Sequence, residues 1–110
     1  MTPRLTSDLW VSAYLRRLQL VDIPAFVTAK GDATAGAIII KLNTLDGNAC
    51  AFQRSYDLDG SRIWAVLSEG AEMDVDASLT KQRSFDPDIW VIEVEDRQGR
   101  HLLDEPGLAE

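Results

Sequence analysis

A chain of 110 residues, 45% hydrophobic and 26% charged, has the composition of one globular domain spanning 1–110 rather than of a disordered segment. Its formal net charge of −7 argues against nucleic acid or an anionic membrane surface as partner, because both are held by clustered Lys and Arg. The single cysteine, Cys50, allows neither an intramolecular disulfide nor a cysteine-built zinc site, and no run approaches the roughly 20 apolar residues of a membrane span.

The first element is a helix. Asp8, Ser12, Arg16 and Gln19 trace one polar stripe, while Trp10, Val11, Tyr14, Leu15, Leu18 and Val21 cover much of the remainder. Thr6 or Ser7 suits its cap, and Asp8 and Arg16–Arg17 suit the two ends of its dipole. The two arginines also break the N-terminal apolar run, which lacks a cleavage pattern, so the reading is cytoplasmic rather than secreted. Pro24 stops the helix.

A β-meander follows over 25–30, 37–44, 49–55 and 61–68, segments rich in β-branched, aromatic and small apolar residues. Asp46-Gly47 and Asp59-Gly60 lie between the later three, and Asp-Gly between apolar runs signals a hairpin turn. Ile38, Ile40 and Leu42 share one face, with Ile39 and Lys41 on the other. Residues 62–67 are apolar on both faces, as in a central strand or one covered by a helix or a partner.

Residues 72–84 read as a second helix with Asp74 or Asp76 as its cap, and Asp86-Pro87-Asp88 then forces a turn. In the final strand Trp90, Ile92 and Val94 face the core while Glu93 and Glu95 face water. The tail over 104–110 is expected to fray. Both helices are expected on one face of the sheet, and the expected core includes the three tryptophans, Leu18, Phe26, Ile40, Val66 and Ile92.

The glycine-bounded loop Gly31-Asp32-Ala33-Thr34-Ala35-Gly36 reads in two ways. Its backbone N–H groups form an anion cradle with Lys41 supplying charge, or it is a plain hairpin connection. It lacks the Gly-Lys-Ser/Thr ending of a phosphate loop, and a strand rather than a helix follows, which favours the hairpin. Asp57, Asp59 and Gly60 hold only a fragment of a calcium loop and read as a turn. Asp86 and Asp88 could form a carboxylate pair, but flanking a proline they read as turn formers. His101 is the only histidine; it enters no Ser-His-Asp or Cys-His arrangement and is expected on the surface of a mobile tail. Arg54, Arg62, Arg83, Arg97 and Arg100 could converge on an acidic ligand, but arginines so distributed fit local pairing with the 18 acidic residues. Arg16, Arg17 and Lys30 are too few for a basic face, so no nucleic acid is expected.

The runs Gly31-Asp32-x-x-Ala35-Gly36-Ala37-Ile38, Asp59-Gly60-x-Arg62-x-Trp64 and, above all, Asp86-Pro87-Asp88-x-Trp90-Val91-x-Glu93-x-Glu95-Asp96-Arg97 resemble a family of short bacterial proteins, domain of unknown function family 1491. The resemblance runs from the first helix through Leu103. It implies a small single-domain bacterial protein with no assigned activity, cofactor or catalytic residue.

The fold expected is α+β: an N-terminal helix, a four-stranded mostly antiparallel meander, a second helix and a final strand. The function expected is a non-enzymatic binding or interaction module without cofactor or metal, acting through Trp64 on a second copy or a protein partner. The alternative is an anion- or phosphate-binding protein or enzyme built on Gly31, Asp32 and Gly36 with Lys41, Arg62, Asp86 and Asp88.

Overall fold

The computed structural model describes residues 5–109. Helix α1 (Ser7–Leu20) leads into strands β1 (Ala25–Ala29), β2 (Ile38–Asn43), β3 (Asn48–Tyr56) and β4 (Arg62–Ala71), followed by helix α2 (Glu72–Phe85) and strand β5 (Trp90–Glu95). Element types and their order agree with the sequence pattern, and the class is α+β. Both Asp-Gly turns form, with Gly47 at φ 90° and Gly60 at φ 86°, a backbone region open to a residue without Cβ.

The strand order corrects the expected four-stranded meander. The sheet runs β1-β5-β2-β3-β4, so the meander contains only β2, β3 and β4. Strand β5 enters between β1 and β2, antiparallel to the first and parallel to the second. The segment joining β1 to β2 is therefore a crossover past the start of β5, not a hairpin. The reason lies in β5 itself: Trp90, Val91, Ile92 and Val94 are all buried, and side chains of both parities are covered only inside a sheet.

The helices also depart from expectation, lying on opposite faces. Val11, Tyr14 and Leu18 of α1 pack with Ile40, Leu42, Ile92 and Val94. Val75 and Leu79 of α2 pack with Ile39, Ala49, Ala51 and Val91. A sheet whose central strands are apolar on both sides needs a layer on each. Each buried Val, Leu or Ile side chain among these contributes roughly 1.5–3 kcal/mol.

Phe26 and Val66, expected in the core, are 52% and 51% exposed. They sit on the two edge strands: α1 leans toward β1 and α2 toward β3 and β4, so each edge is left bare on one side. Neither helix has a side-chain cap. Thr6 precedes α1 and Ala71 precedes α2, neither making a cap hydrogen bond, so Asp74 and Asp76 lie inside the second helix rather than at its start. At α1 the first N–H groups donate instead to loop carbonyls, Ser7 to Thr34 and Asp8 to Ala33.

From residue 96 onward the chain recrosses the α1 side of the sheet. Where a frayed tail is expected, Leu108 is 2% exposed and held by side chains of β3 and β4.

Candidate functional site

The Gly31–Gly36 loop closes on the chain's own backbone. Asp32 N–H donates to the Asp88 carbonyl oxygen at 3.0 Å, and a Cβ built at Gly31 or Gly36 would lie 2.1 or 2.3 Å from that same oxygen. The glycines are there for close approach. Inside the loop, the N–H groups of Thr34 and Ala35 donate to Asp32 Oδ2, and Gly36 N–H donates to Asp32 O. Trp90 Nε1 donates to the same Asp32 carbonyl at 2.7 Å, and Ser7 Oγ donates to Gly36 O at 2.6 Å. Of the donors that would form an anion cradle, the N–H groups of Asp32, Thr34, Ala35 and Gly36 thus already have acceptors.

The Asp86–Asp88 turn lies against this loop. Asp88 N–H donates to Asp86 Oδ1, and Arg83 fixes the turn by donating to the carbonyls of Pro87 and Ile89. Five of the seven sequence-derived ligand residues, Gly31, Asp32, Gly36, Asp86 and Asp88, are therefore neighbours. Lys41 and Arg62 stand apart from them. Arg62 opens β4, with β2 and β3 between it and β5, and Lys41 projects from the middle of β2 toward α2.

Lys41 is only 4% exposed. Its Nζ meets Asp76 Oδ1 at 2.7 Å, Glu72 Oε2 at 2.8 Å and Glu93 Oε1 at 3.0 Å. Asn43, two residues along the same face, donates to Glu72 and Glu93 and accepts from Leu45 N–H. Burial by itself lowers the lysine pKa, but the carboxylates of Asp76, Glu72 and Glu93 outweigh it and hold the ammonium above its ordinary range. A lysine so held is a poor nucleophile and a poor base. The arrangement pins the start of α2 to the centre of the sheet. Glu93, expected to face water, faces this cluster instead.

On the α1 side, β3 and β4 carry an aromatic and cationic surface. Trp64 lies 5.4 Å from Trp10, which stacks on Tyr14 at 5.0 Å, and the Arg54 guanidinium sits 4.2 Å over the Trp64 ring. The chain's own C-terminal segment covers this surface. Arg54 Nη1 and Nη2 donate to the carbonyls of Ala109 and Leu108, each at 2.8 Å, and Trp64 Nε1 donates to Leu108 O at 2.9 Å. Tyr14, buried with its phenol pushed up by that burial, donates to His101 O at 2.8 Å.

The His101 ring packs 4.9 Å from Phe52, and its Nδ1 accepts from Leu103 N–H. Burial lowers its pKa and the nearby Asp104 only partly opposes this. The folded protein therefore binds this proton less tightly than the unfolded chain. Stability from this site is full above pH 6.5 and is lost as pH falls through the folded value. As His101 is the sole histidine, its NMR titration is expected to give one midpoint below 6.5; a midpoint at or above that value would contradict the half-buried placement.

Other candidates resolve locally. Asp57 Oδ1 accepts the N–H groups of Asp59 and Ser61, as a turn requires, and Arg100 pairs with Asp96. The Cys50 thiol is pushed up by burial and by Glu69, which disfavours the reactive thiolate. Among the described residues no group of three His, Cys, Asp or Glu side chains is placed to hold a metal, and no helix is long and apolar enough to cross a membrane. An open groove of about 770 Å³ runs between α1 and β1, lined by Leu15, Arg16, Gln19, Ile23 and Phe26 among others.

The sequence does not single out Glu72, Asp76 and Asn43 as site residues, and it offers Arg54 only as one of five scattered arginines. One signal was available for the first three: a lysine between Ile40 and Leu42 in an apolar strand needs acidic partners once buried. Arg54 gave no comparable signal.

The family model described as a protein of unknown function, DUF1491, matches residues 5–104. The crystal structure of a DUF1491 family protein from Caulobacter crescentus CB15 is 43% identical, with a TM-score of 0.83 over 94% of this chain and 98% of that one. The NMR structure of a DUF1491 family protein from the same organism is 42% identical, with a TM-score of 0.80 over 96% and 97%. The solution structure of protein Atu0922 from A. tumefaciens is 28% identical, with a TM-score of 0.71 over 84% and 86%. No curated protein matches the chain. A family match over nearly the whole chain, with the same fold at more than 40% identity, means that this chain belongs to the DUF1491 family.

Proposed function

We propose that this protein is a non-enzymatic interaction module of the cytoplasm that binds an extended polypeptide segment on the Trp64-centred surface. One observation carries the reading: Arg54 and Trp64 direct three N–H donors at two consecutive main-chain carbonyls, with a leucine side chain buried beside them. Main-chain capture with one apolar anchor is how grooves take extended peptides. A stacked Trp and Arg provide the rigid anchoring typical of interaction hot spots. The single free cysteine, outside any disulfide, goes with a reducing compartment.

A second copy is a poorer occupant than a peptide. Both edge strands carry a register irregularity, at Val27/Ala29 in β1 and opposite Ala51/Phe52 in β4, and such bulges turn an edge away from pairing. Each copy also carries the same −7 charge. The anion-binding alternative draws support from the meeting of the Gly31–Gly36 loop with the Asp86–Asp88 turn, but Lys41 and Arg62, which would supply the charge, stand elsewhere.

One NMR experiment separates the readings. Leucine-containing extended peptides at about millimolar concentration are expected to shift the Trp64 indole N–H, and Trp64→Ala to abolish the remaining shifts around Arg54. Shifts confined to the amides of residues 31–36 on addition of inorganic phosphate, with none from peptides, would instead favour the anion site.

A further inference from the structure

The recognition surface is already filled by a segment of the same chain, and the manner of filling is informative. Arg17 Nη1 donates to Pro106 O at 2.9 Å and Nη2 meets Glu105 Oε2 at 2.8 Å. Gly107, at φ 87°, then turns the backbone so that Leu108 drops into the core beneath Arg54 and Trp64. The polar contacts that Arg54 and Trp64 make with Leu108 and Ala109 all end on main-chain carbonyls. Carbonyls are common to every polypeptide, so this chemistry does not single out residues 105–109.

Two further observations separate the segment from the surface beneath it. Residues 105–109 lie in no strand; the N–H groups of Leu108 and Ala109 donate to Glu105 O, and that of Glu105 donates to Leu102 O. Lifting the segment therefore breaks no rung of the sheet. The family match ends at residue 104, so Trp10, Arg17, Phe52, Arg54 and Trp64 lie inside the shared region while the clamped residues 105–109 lie outside it.

From this we infer that residues 105–109 form a displaceable strap that occupies the peptide-binding surface in cis, and that the ligand in trans is an extended segment whose leucine takes the place of Leu108. The inference rests on the interaction-module reading and adds its regulation: binding in trans requires the strap to leave. Its two arms of attachment differ in consequence. The Arg17 arm holds Glu105 and Pro106 by a partly exposed ion pair and a carbonyl, and it tethers the strap nearby after Leu108 has left. A tethered competitor acts at high effective concentration, so it suppresses weak ligands and yields to strong ones.

The test uses the full chain and a synthetic peptide of sequence 102–110, Leu-Leu-Asp-Glu-Pro-Gly-Leu-Ala-Glu, followed by the Trp64 indole signal at 0.15 M salt. Leu108→Asp unseats the strap and is expected to bind this peptide at least tenfold more tightly than the wild type, with Arg54→Ala added to Leu108→Asp removing the binding. Equal binding by wild type and Leu108→Asp would overturn the strap while leaving peptide recognition standing. No binding by a folded Leu108→Asp chain would overturn both. Should Leu108→Asp fail to fold, hydrogen exchange of the wild type decides: the Leu108 and Ala109 amides are expected to exchange at least tenfold faster than those of β2 and β5. Exchange of both sets at one common rate would mean that the strap leaves only on global unfolding, and would overturn the proposal.

Discussion

Lys41→Ala is expected to lower the unfolding free energy by about 2–4 kcal/mol, read as a fall in urea midpoint at unchanged m-value. Removing one partner of a buried charge cluster leaves the others uncompensated, which for fully buried pairs costs about 3–5 kcal/mol. Here Asp76 is 54% exposed at its side chain, so water recovers part of that loss. The location makes the remainder large: Glu72 and Asp76 stand on the first turns of α2, Glu93 is on β5, and Lys41 joins both to β2. Lys41→Met, which keeps most of the apolar stem, separates charge from packing and is expected to fall between wild type and alanine.

The pH dependence of the Lys41 effect follows from its sign. Its folded pKa lies above the ordinary 10.5, so the folded state holds this proton more tightly than the unfolded chain. The stabilisation is complete below pH 10.5 and is lost as pH rises through the folded value. The gap between wild type and Lys41→Met should therefore stay constant through the neutral range and close only in strong alkali. A difference below about 1 kcal/mol at pH 7 would mean that α2 is held by Val75 and Leu79 alone.

Gly31→Ala is expected to cost about 3 kcal/mol for the addition of a single methyl group, at the upper end of overpacking effects. The new Cβ would lie 2.1 Å from Asp88 O and 2.7 Å from Trp90 Cδ1, and the first of these is backbone that cannot rotate away. Relief requires the loop to withdraw from the turn. That breaks the Asp32 N–H bond to Asp88 O and disturbs the Trp90 indole bond to Asp32 O. Gly36→Ala should behave alike, its Cβ falling 2.3 Å from the same oxygen. Asp32→Ala leaves both approaches intact and is expected to cost only about 1 kcal/mol, as for a lost turn or cap bond. Near-wild-type melting of Gly31→Ala would show that the loop tolerates displacement and that its glycines answer to something other than packing.

These two sites show how unevenly the site was legible. Gly31 and Gly36 stood out in the sequence, but as the ends of a hairpin or an anion cradle. Their partner is a carbonyl 57 residues from Gly31, at Asp88, and no local pattern announces such an approach. Lys41 stood out by its apolar neighbours, yet its carboxylates come from α2 and β5. Trp64 stands in a run, residues 62–67, that is apolar on both faces. That strand is an edge covered only in part: Leu67 packs on the α2 side and Trp64 meets Leu108 O on the other, while Val66 is half exposed. The tail carried no periodic signal, because a single leucine between glycine and alanine resembles any surface loop.

The sequence by itself determined the seven elements, the two Asp-Gly turns and the alternation within β2 and β5. All of these depend on side-chain periodicity and backbone preference over neighbouring residues. Tertiary structure alone decided that β5 lies between β1 and β2, that the helices take opposite faces, and that Lys41, Asp88 and Leu108 meet their partners. Each of those facts depends on which apolar face finds cover when the whole chain closes. That is a competition among long-range contacts whose loop-closure terms change only slowly with separation, so local sequence ranks the alternatives weakly.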